Sequence, residues 1–242
     1  MVLDVVVQKD IPEKPLQKYQ NVIGVDMGIK HIAASVELAT NKTVFYGKNL
    51  NHVRGHYFWL RRKLGIKKAI DTIRKIGSHE KRIANDIIHN ISREIVNRAI
   101  ETDAVIVLGD IKHLRRRKQN TRGRKFNRKL SGFQYYKLTQ YIKYKAALSG
   151  VKVIEVSEAN TSQYCRKCYQ KGERKIQGLF NCINPNCNIK EDNADRNAAF
   201  NIAYRGLGYI SRLGITVNMS KTFASIERNA MMTKEASGFN QR

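Results

Sequence analysis

The chain has 242 residues, of which 42% are hydrophobic and 27% charged, and Lys and Arg outnumber Asp and Glu by 45 to 20. This length allows one sizeable core with a small additional module, and the formal charge of +25 favours a polyanionic partner, first of all nucleic acid. No apolar run approaches the roughly 20 residues of a membrane-spanning helix, and the amino terminus lacks the apolar segment of a secretory signal. We therefore expect no membrane association and a cytoplasmic, nucleoid-associated location.

The amino-terminal part of the chain is rich in strand-forming residues. Residues 1–20 are predicted to form a strand that completes an earlier segment, followed by a polar linker. Residues 21–46 then indicate an antiparallel meander of three strands, because Asp26 interrupts the first apolar run and Gly28 permits a turn.

Helical periodicity begins after the meander. Residues 50–76 are basic and partly amphipathic, and Ser78 is expected to cap a second, long helix. The stripe on this helix that should face the core consists of Ile83, Ile87, Ile91, Ile95 and Ala99. A buried strand is predicted at 104–108 by its run of apolar, mostly β-branched residues.

The carboxyl-terminal half alternates between basic, helical and strand-forming segments. Residues 112–130, with ten Lys or Arg in nineteen residues, are predicted to form a loop, and a helix follows that should end at Gly150. A further strand is expected at 151–158 and a final helix at 192–210. This order of elements is that of an α/β, RNase H-like mixed sheet flanked by helices.

Four cysteines lie close together in the sequence. Cys165 and Cys168 are separated by two residues, and Cys182 and Cys187 by four. Paired thiolates without a nearby histidine predict one closed, structural zinc site. We expect an inserted zinc ribbon at 161–188 within the α/β domain, which comprises 21–160 and 189–212, followed by a polar tail at 213–242.

Carboxylates on separate elements are the main candidates for catalysis. Two cations beside a scissile phosphate require such groups to converge. Asp26 stands at the end of a strand, where it could instead be a turn residue, and Asp195 opens the final helix, where the helix dipole alone favours an acid. A third carboxylate is expected near the end of the strand at 104–108.

Four linked motifs resemble the OrfB/TnpB family of transposon-encoded proteins and the related miniature type V CRISPR effectors. "IGVDMGIKHIAA" is similar to the first RuvC motif, "VSEANTSQYCRKC" to the entry into the zinc ribbon and "NADRNAAFNIA" to the third RuvC motif. "KFNRKLSGFQYYKLTQYIKYKA" fits the stretch after the second motif. The resemblance covers residues 20–210 and implies an RNA-guided DNA endonuclease whose N-terminal half is absent from this chain.

The resemblance departs from the family at Gly109, where the second motif normally has Glu. Strand alternation puts Gly109 and Asp110 on opposite faces, so Asp110 is not a simple substitute. Glu155 lies in the adjacent strand, and burial of a Glu in an apolar strand requires a partner such as a metal ion. Some relatives carry the displaced Glu on this strand. Glu155 could otherwise be an exposed surface residue at the strand end.

The predicted ligands of two Mg²⁺ ions are Asp26, Glu155 and Asp195, with Asp110 and Glu158 as second choices. The predicted phosphate contacts in the basic loop are Arg115, Arg116, Arg117, Arg122, Arg124, Lys125 and Arg128. Together these residues predict a Mg²⁺-dependent endodeoxyribonuclease that binds DNA and a guide RNA. The alternative is a nuclease-inactive derivative of the same family that still binds nucleic acid.

Overall fold

A five-stranded mixed sheet forms the centre of the protein. The computed structural model describes residues 8–12, 14–110, 135–176 and 178–213. The strands of the sheet are β1 (Asn21–Asp26), β2 (Ala33–Glu37), β3 (Thr43–Tyr46), β4 (Ala104–Asp110) and β5 (Val153–Ser157). They lie in the order β3-β2-β1-β4-β5, with an antiparallel β1–β3 meander and with β4 parallel to both β1 and β5. The predicted RNase H-like fold is confirmed.

Helices cover both faces of the sheet. They are α1 (Lys48–Ile66), α2 (Ile70–Glu101), α3 (Tyr135–Leu148) and α4 (Ala194–Arg212). One core lies between the sheet and the pair α2 and α3, and includes Leu108 and Ile142. A second core lies between the other face and α4, and includes Val107 and Phe200. The two faces are therefore covered by different helices, so an acidic side chain of the sheet points either toward α2 and α3 or toward α4.

The long helix α2 differs from its prediction in two ways. It begins at Ile70 and passes through Ser78 without a break, so the predicted cap at Ser78 is wrong. Ile91 and Ile95 are buried as expected, but Ala84 and Ile88 are buried in place of the two earlier stripe positions. A spacing of four residues drifts by about 40° per step around a helix of 3.6 residues per turn, so the inward positions shift along the helix.

Helix α4 packs unusually closely on β1. A Cβ built at Gly24 would lie 2.3 Å from the carbonyl oxygen of Ala199 and 2.6 Å from the Cβ of Ala203. Only a glycine fits at this position without displacing the helix. This close packing brings the amino terminus of α4 to the carboxyl end of β1, where Asp26 lies.

The cysteine module is held on α4 by amide side chains. Asn197 Nδ2 donates to the carbonyl of Tyr164 at 2.7 Å, and Asn197 Oδ1 accepts from the backbone N–H of Arg166 at 2.9 Å. The module contains a two-stranded sheet of β6 (Leu179–Asn181) and β7 (Glu191–Asn193). These contacts connect the ribbon rigidly to the helix that carries Asp195.

Several predictions fall partly or wholly on residues outside the described ranges. Residues 1–7, the basic segment 111–134 and the tail from 214 onward are among them. Gly150 follows α3 with φ of +69°, as expected for a glycine that ends a helix. Among the residues that the structure describes, no helix combines the length and apolarity needed to cross a membrane.

Candidate active site

Asp26 and Asp195 are brought together by the contact between β1 and α4. Asp26 is the last residue of β1 and lies two residues after Gly24, so its side chain points to the α4 face of the sheet. Asp195 is in the first turn of α4, where the side chain of Asn193 caps the helix and accepts from the backbone N–H of Asp195 at 2.9 Å. Asp195 is close enough to Asp26 for its charge to raise the pKa of Asp26.

The space left by the missing side chain at Gly109 is filled by Glu158. A Cβ built at Gly109 would lie 2.1 Å from Glu158 Oε1 and 2.2 Å from its Cγ. Glu158 follows directly after β5, in a turn closed by hydrogen bonds from the backbone N–H and hydroxyl of Thr161 to the Glu158 carbonyl at 3.2 and 3.0 Å. A carboxylate from the next strand therefore lies where the second motif of the family has its own Glu.

Glu155 does not join this cluster. The parallel register places Glu155 level with Leu108, whereas Gly109 is level with Val156. Residues that are level on neighbouring strands point to the same face, so Glu155 lies on the α3 face. There its Oε1 is 2.8 Å from the Nζ of Lys143. The register therefore turns Glu155, which was predicted as a Mg²⁺ ligand, away from the space at Gly109.

Burial and neighbouring acids raise the pKa of two members of the cluster, Asp26 and Glu158. Burial raises the pKa of Asp26 well above its ordinary value, and the charges of Glu158 and Asp195 raise it further, while Arg174 opposes them. Burial also raises the pKa of Glu158 to about 7, with a contribution from Asp110 and an opposing one from Arg205. Negative charge is thus concentrated where it is poorly solvated, which is the electrostatic requirement of a cation site.

The donor set fits a hard divalent cation such as Mg²⁺. Glu158 Oε1 is buried without a hydrogen-bond partner, and such an atom is costly unless a ligand satisfies it. Within the described ranges, Asp26, Glu158 and Asp195 do not form a group that could hold a single ion together, as the four cysteines do. Mg²⁺ takes one or two carboxylates and completes its shell with water and phosphate oxygens, so it does not require all three acids on one ion.

Stability of the metal-free protein should fall with rising pH because of this cluster. Folding raises the pKa of Glu158 from 4.5 to about 7. Its contribution to stability is therefore complete below about pH 4.5 and is lost as the pH rises through about 7. In EDTA at about pH 8, Glu158→Gln should raise the Tm by about 3 °C or more, as measured by calorimetry. An unchanged Tm at this pH would contradict a buried, repulsive cluster.

His31 is a site residue that the sequence analysis did not single out. Its Nδ1 lies 2.9 Å from Asp195 Oδ2, although 164 positions separate the two in sequence. The ring also contacts Phe45, with centroids 4.8 Å apart. Such a hydrogen bond orients a carboxylate, so we predict that His31 positions Asp195.

Replacement of His31 should weaken metal binding rather than the fold. We expect His31→Ala to raise the Mg²⁺ concentration needed for half-maximal thermal stabilisation by about 10- to 100-fold. His31→Asn retains a donor and should recover part of the loss. The exposed His52 provides a control, because His52→Ala should leave the Mg²⁺ titration unchanged. If His31→Ala and wild type required the same Mg²⁺ concentration, His31 would have no positioning role.

The four cysteines form the second candidate metal centre. The Sγ atoms of Cys165 and Cys187 are 3.8 Å apart, and those of Cys168 and Cys182 are 3.5 Å apart. Four sulfurs at about 2.3 Å from a tetrahedral zinc ion lie about 3.8 Å from one another. All four sulfurs lie within 4.8 Å of one another, so the set suits one Zn²⁺ after a small contraction, as the spacing in the sequence predicts.

Zinc content and local order should be lost together when one thiolate is removed. We expect about one zinc per chain, and a loss of most of it in Cys187→Ser, since structural zinc sites need all four ligands. Trypsin should then cut the variant within residues 161–188 much faster than wild type. Ser162→Ala, which keeps all four sulfurs, is the matched control. A zinc-free wild type with the same proteolysis pattern would contradict this assignment.

Known proteins match the chain over most of its length. Residues 135–202 match the family model Cas12f1-like, TNB domain. The CRISPR-associated endodeoxyribonuclease Cas12f2 of a Micrarchaeota archaeon is 31% identical over 212 residues, which cover 79% of this chain and 38% of that protein. TnpB-like protein MJ0751 of Methanocaldococcus jannaschii is 27% identical over 217 residues, which cover 82% of this chain and 76% of that protein. The chain belongs to the TnpB/OrfB family.

A solved structure supports the same membership. The TnpB/OrfB-family fold of this chain superposes on Cas12f1 in a cryo-EM structure of the Cas12f1-sgRNA-target DNA complex, with a TM-score of 0.61 and 25% identity. The match covers 81% of this chain and 51% of that one. The chain thus spans about half of the Cas12f1 chain and 38% of the length of Cas12f2.

The predicted phosphate contacts of this TnpB/OrfB-family chain lie outside the described residues. The seven arginines and lysines from Arg115 to Arg128 all fall within 111–134. Arg174 was not among the predicted phosphate contacts. It lies in the ribbon, and its positive charge lowers the pKa of Asp26. Lys30 is close to the ribbon as well, since its Nζ would lie 3.1 Å from a Cβ at Gly178. Basic side chains therefore border the carboxylate cluster on its ribbon side.

Proposed function

We propose that the chain is a Mg²⁺-dependent DNA endonuclease of the RuvC type, or the C-terminal nuclease portion of one, directed by a guide RNA. One observation carries the proposal. The Glu158 carboxylate occupies the space where a side chain at position 109 would lie, next to Asp26 and Asp195. A nuclease-inactive derivative has no need to keep a third buried acid there, because an unpaired buried carboxylate lowers stability.

Asp26, Glu158 and Asp195 would hold the cations, with Asp110 at the edge of the cluster. When bound, Mg²⁺ supplies a Lewis acid and an activated water for in-line hydrolysis of a phosphodiester, which leaves a 3′-hydroxyl and a 5′-phosphate. The protein would hold its carboxylates in fixed orientations. The Asn193 side chain caps the start of α4, and His31 Nδ1 is hydrogen-bonded to one oxygen of Asp195. The burial of the cluster excludes competing water.

Basic side chains at the rim would hold the DNA backbone. Arg174 is exposed in the ribbon, and its charge lowers the pKa of Asp26, so it would contact a phosphate bound next to the cluster. Arg205 donates a hydrogen bond to the carbonyl of Ser157 at 2.6 Å, and its charge lowers the pKa of Glu158. Its guanidinium therefore stabilises the turn that carries this carboxylate. The two arginines have different roles, one toward the substrate and one toward the site.

Cleavage by the purified chain tests the proposal. The chain is co-expressed with the RNA transcribed from the DNA that flanks its own gene, and the complex is incubated with a plasmid library of randomised targets. We expect double-strand breaks in Mg²⁺ and none in EDTA or in Asp26→Asn. Binding of DNA without cleavage, in a preparation with full zinc content and the expected Tm, would favour the nuclease-inactive alternative.

A further inference from the structure

The helical hairpin made by α1 and the beginning of α2 is separate from the core. No side chain from Asn51 to Ile83 is buried, whereas buried side chains recur along α2 from Ala84 onward. We call residues 51–83 the hairpin arm. Its two helices pack on each other, and the part of α1 in the arm is about 24 Å long at 1.5 Å per residue. The arm therefore offers an extended surface that the fold itself does not use.

The arm is strongly basic. It contains ten Lys or Arg and only two acids. Both acids face arginines of the arm itself: Glu80 pairs with Arg61, and Asp71 lies 3.6 Å from Arg74. The remaining cations are not balanced by acids of the arm, and a second copy of this surface would be repelled by like charge. A polyanion is the partner that this charge fits.

Aromatic side chains accompany the cations. Trp59 is 52% exposed although it is the chain's single tryptophan, and Phe58 is 39% exposed. The Nζ of Lys63 lies 3.9 Å from the centroid of the Trp59 ring. An exposed aromatic ring next to cations is the arrangement that binds single-stranded nucleic acid, because bases stack on the ring while phosphates contact the cations. A duplex does not expose the faces of its bases in this way.

We propose that the hairpin arm binds a single-stranded segment of nucleic acid, with a base stacked on Trp59 and phosphates contacted by exposed cations such as Arg62 and Lys63. This surface is separate from the carboxylate cluster. The inference shares with the proposed function the premise that nucleic acid is the partner, but it requires neither magnesium nor cleavage.

Binding measured without metal tests the arm alone. Fluorescence anisotropy is recorded in EDTA with labelled RNA and DNA single strands of about 20 nucleotides and with a DNA duplex of the same length. The arm variant replaces Arg62, Lys63, Lys67 and Lys75 by Gln, and the matched control replaces Arg212, Lys9, Lys18 and Lys42, all eight of which are exposed. Trp59→Ala is measured separately.

We expect the arm variant to bind single strands at least about tenfold more weakly than the control, with a salt slope smaller by about 3. Trp59→Ala should lose about fivefold or more on single strands and little on the duplex. Equal losses in the arm and control variants, or an equal Trp59→Ala effect on both kinds of probe, would overturn the inference. Circular dichroism checks that each variant is folded. Binding that is intact in a chain that never cleaves would preserve this inference and refute the proposed function.

Discussion

Glu158→Gln is expected to reduce DNA cleavage by at least about 1000-fold, whereas Glu155→Gln should stay within a few-fold of wild type. Loss of one ligand removes several kcal/mol of charge stabilisation in the transition state, and each 1.36 kcal/mol is a factor of ten in rate. Glu158 occupies the space at Gly109 beside Asp26, whereas Glu155 is paired with Lys143 on the opposite face. Initial rates on a guided target at saturating Mg²⁺ measure the difference.

The two glutamates lie three residues apart and form a matched pair. Both substitutions remove one negative charge and keep nearly the same side-chain volume, so general effects of charge on DNA binding cancel. A large loss in Glu155→Gln together with an active Glu158→Gln would restore the prediction made from the sequence and contradict the register of β4 and β5.

A carboxylate introduced at position 109 of β4 should restore cleavage to the inactive Glu158→Ala variant. In the Glu158→Ala background, Gly109→Glu places the acid where the second motif of the family has it, and we expect cleavage to return to within about tenfold of wild type. Gly109→Glu alone should instead be at least about 100-fold impaired. Its Cβ would lie 2.1 Å from Glu158 Oε1, which is a steric overlap, and the two carboxylates would in addition repel each other.

A neutral residue of the same size provides the control for this exchange. Gly109→Gln in the Glu158→Ala background fills the same volume without the charge and should remain inactive. If Gly109→Glu and Gly109→Gln gave equal rates in that background, the two positions would not be equivalent, and the relocation of the carboxylate from β4 to the end of β5 would be refuted.

Much of this architecture could be predicted because it depends on local patterns. The meander, the buried β4 and the paired cysteines each have a short sequence signature, and Asp26 and Asp195 lie in recognisable motifs. The third carboxylate has no such signature. Alternation within β5 says which residues share a face but not which face, and only pairing with β4 decides that Glu155 is level with Leu108.

Other features depend on contacts between distant segments. The hydrogen bond of His31 to Asp195 joins residues 164 positions apart, and it exists because Gly24 lets α4 approach β1 closely. Arg174 acts on Asp26 only after the ribbon has docked through Asn197. The prediction that a helix begins at Ser78 was wrong for a different reason. Serine costs little free energy inside a helix, so its preference for a capping position did not interrupt α2.

The position of a bound cation tests the central claim most directly. Crystals soaked in Mn²⁺, which takes the same oxygen ligands as Mg²⁺, would reveal the ions by their anomalous scattering. We predict a peak in contact with carboxylate oxygens of Asp26 and Glu158, with Asp195 ligating the same or a second ion, and none at Glu155. A Mn²⁺ peak at Glu155, or a cluster that binds no ion while Glu158 points away from Asp26, would contradict the account.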